Sequence, residues 1–149
     1  MARRIVPDII NSQVLCEFDR EATVLESVKM MAERHVGAVL ITHSGRLEGI
    51  FTERDLAVRV VAQGRDPATT KLGAVMTKNP ATLAPNDKPE IALERMRSGD
   101  FRHLPVVDGN RVIGVVSIRD LYAVVKGQLE DDLRNRDAFI FGNGHGGLS

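Results

Sequence analysis

The sequence predicts an α/β (α+β) fold of two pseudo-symmetric β-α-β-β-α repeats that pack sheet to sheet, with an extended C-terminal helix. Residues 49–56 (GIFTERDL) recur as residues 114–121 (GVVSIRDL), and the surrounding chain keeps this offset of 65 positions without a gap. Each copy follows two short apolar runs typical of strands and leads into a helix-like segment. Neither half can cover both faces of a three-stranded sheet alone, so we expect the halves to pack on each other.

Composition narrows the class of protein. The chain has 149 residues, of which 43% are hydrophobic and 27% charged, as is usual for a soluble globular domain. Twenty basic residues balance twenty acidic ones, which argues against nucleic acid or an anionic membrane as a partner. No apolar run reaches the length of a membrane span, and the N-terminus lacks the apolar core of a secretory signal. We therefore expect a cytoplasmic protein, with its single cysteine, Cys16, as a small buried hydrophobe.

The first elements follow from local signals. Residues 4–12 are predicted to form a short helical lead-in with Pro7 in its first turn, and residues 14–18 a strand. Thr23 and Glu26 then have the spacing of a capping box at the start of a helix. That helix is predicted to place four apolar residues on one face, namely Val24, Val28, Met31 and Ala32.

A hairpin and a helix complete the first half. Residues 38–42 form a continuous apolar run, which predicts a strand buried on both faces. Residues 43–46 read as a turn and residues 47–51 as the returning strand. The helix that begins at Thr52 is predicted to run through Leu56, Val60 and Val61.

The second half repeats these patterns after a stretch rich in glycine and proline. Residues 71–77, 81–83 and 89–96 match the lead-in, first strand and first helix, and residues 103–107 and 112–116 match the hairpin strands. The predicted boundaries are 5–63 for the first repeat, 64–70 for the linker, 71–126 for the second repeat, 127–141 for a C-terminal helical extension and 142–149 for a flexible tail.

The extension has no counterpart in the first half. Its apolar residues recur every four positions, which predicts a helix that ends near Arg136 and is followed by the apolar residues 139–141. Such a stripe would pack either on the protein's own core or on a partner subunit.

The repeated corner between strand and helix could bind a nucleotide. A helix N-terminus attracts anions, and the hydroxyls of Thr52 and Ser117 lie where each helix starts. Asp55 and Asp120, three residues later, could accept two hydrogen bonds from the diol of a ribose. The neighbouring cations, Arg54 and Arg119, could reach a phosphate. The same spacing of hydroxyl and carboxylate also caps helices with no ligand present, so both interpretations stay open at this point.

The two corners resemble the signature of the CBS domain, named after cystathionine β-synthase. The signature is a glycine, two apolar residues, a threonine or serine, two variable residues, an aspartate and a leucine. Two further stretches are similar to the family: residues 103–108 (HLPVVD) look like its central strand, and residues 74–77 (AVMT) look like its lead-in to a second repeat. The resemblance covers residues 5–126 and indicates a tandem CBS pair, also called a Bateman module.

The resemblance implies a regulatory module that binds an adenosine derivative such as AMP, ADP, ATP, S-adenosylmethionine or NAD(H) between the repeats. In the family the aspartate holds the ribose, the hydroxyl residue contacts phosphate and residues that open the central strand line the cleft. Carried over, the first site comprises Gly37, Ala38, Val39, Thr52, Arg54 and Asp55. The second site comprises Arg102, His103, Pro105, Ser117, Arg119 and Asp120.

The two sites are not expected to be equal. Arg102 and His103 stand where the first repeat has Gly37 and Ala38, so the second site should prefer anionic phosphates more strongly. The alternatives are that Arg102 is a solvated surface residue and that His103 is packed at the start of its strand.

No catalytic or metal-binding motif accompanies the corners. The histidines and Cys16 lack close metal-ligand spacing, and no arrangement of nucleophile and base is legible in the sequence. We therefore expect a non-enzymatic nucleotide sensor without a catalytic cofactor or metal. The resemblance to CBS pairs implies that the protein forms a homodimer. Its output would act in trans on an unidentified effector protein. The alternative is a dimeric scaffold whose clefts stay empty.

Overall fold

The computed structural model describes residues 3–10 and 13–142, and the side chains of Val125, Gln128 and residues 137–142 are left out of the description. The strands are β1 (Glu17–Phe18), β2 (Ala38–His43), β3 (Arg46–Thr52), β4 (Thr77–Lys78), β5 (His103–Asp108) and β6 (Arg111–Ser117). The helices are α1 (Val24–Arg34), α2 (Glu53–Asp55) with a π-helical continuation (Leu56–Val61), α3 (Leu72–Val75), α4 (Pro89–Gly99) and α5 (Ile118–Gly142).

The first half contains a sheet in the order β1-β2-β3-β4. β1 runs parallel to β2, whereas the pairs β2–β3 and β3–β4 are antiparallel. In the β2–β3 hairpin, Ala38 lies opposite Thr52 at one end and His43 opposite Arg46 at the other. Residues 38–41 are all buried, which confirms the predicted strand that is covered on both faces.

The second half repeats the hairpin with β5 and β6, which are antiparallel and place His103 opposite Ser117. Leu83 takes the place of β1 by a parallel bridge to Val106. Its N–H donates to the carbonyl of Pro105 at 2.8 Å, and its carbonyl accepts from the N–H of Val107 at 2.8 Å. The expected pseudo-symmetry between the hairpins is therefore present.

An apolar layer joins the two halves. Ala38, Leu40 and Ile50 from the first hairpin and Val112 from the second form one buried cluster, against which Leu47 and Val115 also pack. Strand β3 faces β6 in this layer. The predicted packing of sheet on sheet is confirmed, and each hairpin buries a face that it could not cover alone.

The lead-in segments cross over between the halves. Ile5 and Ile10 lie in the core of the second half with Leu104 and Val106. The lead-in of the second repeat behaves in the same way, because helix α3 and Met76 lie in the core of the first half. Each hydrophobic core therefore contains the lead-in segment that precedes the other repeat in the sequence. The repeat boundaries given above divide the chain in sequence order and remain a prediction.

The first lead-in is not the predicted helix over residues 4–12. Val6, which precedes Pro7, has the extended angles φ −115° and ψ 128°, since the proline ring disfavours the helical region for the residue before it. Among the described residues of this lead-in one turn forms, Ile5–Ile9, and the N–H of Ile10 closes it on the carbonyl of Ile5 at 3.0 Å. Residues 11 and 12 of the predicted helix lie outside the described residues. The N–H groups of Ile5 and Val6 instead donate to carbonyls of the second half, those of Asp87 and Pro85.

One predicted helix face needs correction, and the helix after Thr52 extends to Val61 as predicted but contains a widened turn. In α1, which begins with the expected capping box between Thr23 and Glu26, Ala32 is exposed. After α2 the turn widens, because the N–H of Ala62 bonds to the carbonyl of Ala57 five residues earlier. This change of period keeps Val60 buried and leaves Val61 65% exposed.

The C-terminal helix is longer than predicted. Its backbone continues to Gly142 and includes residues 139–141, whereas the sequence placed its end near Arg136. Leu121 is fully buried against the second half, but Leu129 and Leu133 are 60% and 50% exposed. The predicted tail, residues 143–149, lies outside the described residues. Within the described part of the chain, no helix is long and apolar enough to cross a membrane.

Candidate functional site

The two corners have matching backbone geometry. In the first half the N–H of Glu53 donates to the carbonyl of Gly37 at 3.0 Å. In the second half the N–H of Ile118 donates to the carbonyl of Arg102 at 2.8 Å, at positions 65 residues further on. Each bond ties the start of a hairpin strand to the helix that follows the hairpin, so the strand-start residues and the corner of one half lie side by side.

The first corner is a complete capping box. The carboxylate of Asp55 accepts from the backbone N–H of Thr52 at 3.0 Å, and the hydroxyl of Thr52 accepts from the N–H of Asp55 at 3.2 Å. Asp55 is only 9% exposed, although it is charged. The capping interpretation of this pattern is therefore realised in the structure.

Two further donors reach the same carboxylate. The hydroxyl of Thr77, on β4, donates to Asp55 Oδ1 at 3.2 Å. Arg59 Nε lies 3.5 Å from that oxygen, and the guanidinium also donates to the carbonyl of Met76 at 2.9 Å. Asp55 is thus held by the protein's own groups, and a ribose at this corner would have to displace some of them.

The second corner is less occupied. Ser117 and Asp120 form the same reciprocal cap, with N–H bonds of 3.0 and 3.1 Å. At the position of Arg59 the second half has Val124, and the position of Thr77 corresponds to Ser12, which lies outside the described residues. Among the described residues the carboxylate of Asp120 accepts only this one cap bond and is partly exposed. Asp120 therefore has more capacity for an external diol than Asp55.

His103 and Glu53 meet between the halves. A Cβ added to Gly37 would stand 3.1 Å from Glu53 Oε1 and 3.2 Å from His103 Nε2, so both side chains converge on the glycine. Burial lowers the pKa of His103 below its ordinary value of 6.5. Glu53 and Asp120 act in the opposite direction, and Arg102 adds to the lowering. The imidazole of His103 is therefore harder to protonate than that of an exposed histidine.

The remaining residues of the predicted sites have varied surroundings. Arg54 forms an ion pair with Asp100 of the second half at 3.3 Å and also donates to its backbone carbonyl at 3.2 Å. Arg102 and Arg119 are exposed, which is compatible both with contact to a ligand and, for Arg102, with the alternative of a solvated surface residue. Ala38 belongs to the layer between the sheets, and Val39 is fully buried in the first core. The first site is thus less open than its sequence implies.

Pro105 is also buried, and it contributes its carbonyl to the bond with Leu83. The sequence reasoning missed Glu53, Arg59 and Thr77. Arg59 lies four residues after Asp55, a spacing at which side chains meet on a helix, so the ion pair could have been found. The contacts of Glu53 and Thr77 depend on other segments of the chain.

Two cavities lie at the turn ends of the hairpins, away from the corners. One, of about 350 Å³, lies between the halves and is lined by Phe18, Thr42 and Arg111 among others. The other, of about 400 Å³, lies in the first half beside His43, Arg46 and Lys78. Neither includes a residue of the predicted sites.

Two β-α-β-β-α repeats with matching capped corners define a tandem-repeat module. The chain belongs to the CBS domain family, whose model matches residues 8–62 and 72–127. It is 35% identical over 125 residues to the mitochondrial CBS domain-containing protein CBSX3 of Arabidopsis thaliana, covering 80% of this chain and 61% of the relative. It is 35% identical over 116 residues to the CBS domain-containing protein YhcV of Bacillus subtilis, covering 78% and 81%.

Two solved structures of CBS domain proteins have a fold similar to that of this chain. A putative signal-transduction protein with CBS domains from Burkholderia ambifaria has a TM-score of 0.72 and 33% identity, covering 76% of this chain and 83% of that one. A CBS domain protein of Pyrobaculum aerophilum, solved in complex with AMP, has a TM-score of 0.68 and 28% identity, covering 75% and 86%. Among the curated relatives, the chain spans 61% of CBSX3 and only 18% of the Arabidopsis protein CBSCBSPB2.

The difference between the two capping aspartates predicts a difference in stability. Asp55→Ala removes a cap and a largely buried carboxylate that Thr77 and Arg59 contact, so we expect a loss of about 2–4 kcal/mol in the free energy of unfolding. Asp120→Ala removes only a cap, at a cost of about 0.5–2 kcal/mol. Urea unfolding of both variants measures the two values. Equal losses would contradict the distinction drawn between the corners.

The lowered pKa of His103 predicts a pH dependence. The unfolded chain binds this proton at a higher pH than the folded chain, so His103 reduces the free energy of unfolding as the pH falls from about 7 to 5. Stability of the wild type should therefore fall more steeply over this range than that of His103→Gln. Glu53→Gln should steepen the fall, because it removes a carboxylate that raises the pKa of His103. A wild type that gains stability relative to His103→Gln on acidification would show the opposite sign.

Proposed function

We propose that this CBS pair is a regulatory module that binds an adenine nucleotide at the second corner and acts on a partner protein in trans. The observation that carries the proposal is the contrast between the aspartates. Among the described residues, the carboxylate of Asp120 accepts only the cap bond from Ser117, so its remaining lone pairs could accept from a ligand. The carboxylate of Asp55 is contacted in addition by Thr77 and Arg59. A diol hydrogen-bonded to Asp120 and a phosphate near the start of α5 would place an adenosine ligand along the junction of the halves.

The surroundings of the second corner support an anionic ligand. Arg102 and Arg119 are exposed at the strand start and in the first turn of α5, and His103 lies near Asp120. A phosphate bound there would face two guanidinium groups and an imidazole that could take up a proton. The similarity to a CBS domain protein solved with AMP agrees in ligand class, and we include ADP, ATP, NAD(H) and S-adenosylmethionine as candidates.

The same junction offers a route to regulation. Arg54 reaches Asp100 across the halves, and His103 meets Glu53 at Gly37. A ligand that contacts both halves here would favour one arrangement of them over others, which is the requirement for passing a signal to a partner. We propose this binding role in preference to catalysis, in the cytoplasm as the sequence predicts.

The alternative function is a scaffold whose corners only cap helices. The geometry of Asp55 favours this interpretation for the first corner, since its carboxylate already accepts from Thr52 and Thr77. We therefore propose one principal nucleotide site instead of two equal ones.

Isothermal titration calorimetry with AMP, ADP, ATP, NADH and S-adenosylmethionine tests the nucleotide site. We expect at least one of them to bind, and Asp120→Asn to weaken the affinity about tenfold or more, because it removes the charge that holds the diol. The equivalent Asp55→Asn variant is the matched control and should change the affinity about twofold at most. Dependence on Asp55 alone would move the site to the first corner. Absence of binding by every ligand would leave the scaffold function.

We also propose a homodimer formed through exposed apolar helix residues. Val58 and Val61 are 51% and 65% exposed, and Tyr122 on α5 is 70% exposed. Aliphatic and aromatic surface of this kind is stabilised when a second copy covers it. A non-obligate interface of standard size buries about 800 Å² per partner, which helix faces of this length can supply.

Light scattering on charged variants tests the homodimer. Val61→Asp and Tyr122→Asp should shift a dimer towards monomer, since a buried unpaired carboxylate is unfavourable at an interface. Val14→Asp is the matched control, because Val14 is 75% exposed but precedes β1 and belongs to neither of these helices. A monomeric wild type, or equal dissociation by Val14→Asp, would contradict the proposed surface.

A further inference from the structure

The cavity of about 400 Å³ at the hairpin end of the first half has a basic rim. Arg20, His43, Arg46 and Lys78 surround it, and Glu48 is the one carboxylate that lines it. Its volume lies within the range usual for small-molecule sites. Three permanent positive charges, those of Arg20, Arg46 and Lys78, therefore line one opening.

The backbone holds these cations in place. Arg46 and His43 are the paired residues that close the β2–β3 hairpin, and Lys78 belongs to β4, which pairs with β3. The carbonyl of Arg20 accepts from the N–H of Gly73 at 2.9 Å. Its side chain lies over that glycine, since a Cβ there would stand 3.0 Å from Arg20 Nε. The four groups therefore line the cavity from three segments that are distant in the sequence, since His43 and Arg46 share one hairpin.

The three cations of the rim, Arg20, Arg46 and Lys78, have no polar side-chain partner among the described residues. None of the described ion pairs includes Arg20, Arg46 or Lys78. Their side chains donate none of the hydrogen bonds found among the described residues. Charges of one sign that face a shared opening repel each other, and an anion that enters relieves this repulsion.

The second half lacks the same set, although it has the same hairpin. At the positions of Arg20 and His43 it carries Pro85 and Asp108, and only Arg46 has a basic counterpart, Arg111. The hairpin β5–β6 closes with Asp108 opposite Arg111, so the fold does not require a basic residue at that position. The basic rim is thus a feature of one repeat alone.

We propose that this cavity binds a small molecule that carries two linked phosphate groups. Guanidinium groups bind phosphate in a bidentate manner, and the ammonium of Lys78 adds a point charge. Two arginines and a lysine around one opening suit two anionic groups better than one. Leu47 and Met76 in the lining would contact the less polar part of such a ligand.

The site is separate from the nucleotide corner. It lies at the Arg46 end of β3, whereas the corner lies at the Thr52 end, six residues and about 20 Å away along the strand. The inference therefore does not depend on the proposed nucleotide function, and variants of each site should leave the other intact.

Calorimetric titration of the full chain with pyrophosphate at low ionic strength tests the proposal. We expect binding that Arg46→Gln and Lys78→Gln each weaken about tenfold, as loss of a charge-assisted contact implies. Orthophosphate should bind more weakly than pyrophosphate. Arg111→Gln removes the equivalent arginine of the second hairpin and should change the affinity about twofold at most. Asp120→Asn should leave pyrophosphate binding unchanged.

Three outcomes would overturn the proposal. The first is that pyrophosphate does not bind to the wild type. The second is an equal loss in Arg111→Gln and Arg46→Gln, which would indicate non-specific attraction. The third is a loss in Asp120→Asn with none in Lys78→Gln, which would place the anion at the nucleotide corner. Thermal unfolding of each variant establishes that it is folded, and because Arg46, Lys78 and Arg111 are exposed we expect no large change for these three.

Discussion

Each half of this molecule has an apolar sheet face that only the other half can cover. The layer of Ala38, Leu40, Ile50 and Val112 removes this surface from water, and it joins hairpins whose strands are 65 positions apart in the sequence. The lead-in segments make each half depend further on the other, since Ile5 packs in the core of the second half and Leu72 in the core of the first. Neither half has a complete core without the other, so the corners keep their relative positions only in the paired fold.

This pairing determines what the corners can do. Thr77 reaches Asp55 only because β4, which follows the linker, returns to the edge of the first sheet. The carboxylate of Asp55 thereby helps to hold β4, which follows the linker, against the first half. In the second corner Val124 stands at the position of Arg59, and among the described residues the carboxylate of Asp120 accepts only the cap bond from Ser117. Among the described contacts, the aspartate of the first repeat is therefore bound to more neighbouring groups than the aspartate of the second.

The two ends of the hairpins have different chemistry. At the corner end, His103, Glu53 and Asp120 lie near one another in a partly buried junction, where burial disfavours a charged imidazole. At the turn end of the first half, three cations surround an open cavity. Because the second half has Pro85 and Asp108 at the positions of Arg20 and His43, the duplicated backbone supports different surfaces in its two copies.

The sequence by itself determined the repeat, the hairpins and the caps. These depend on signals within a few residues, such as the spacing of Thr23 and Glu26 or the apolar run that became β2. The sequence also predicted which residues form the two corners, because each corner is one continuous stretch of the chain. Only the tertiary structure decided that the lead-ins cross over, that the carboxylate of Asp55 is bound by Thr77 and Arg59, and that Arg20 and Lys78 line one cavity. Such contacts join segments that are distant in the chain, and local periodicity carries no information about which distant segments meet. The widened turn after α2, which exposes Val61, shows the same limit, since packing against the core decided the phase of that helix.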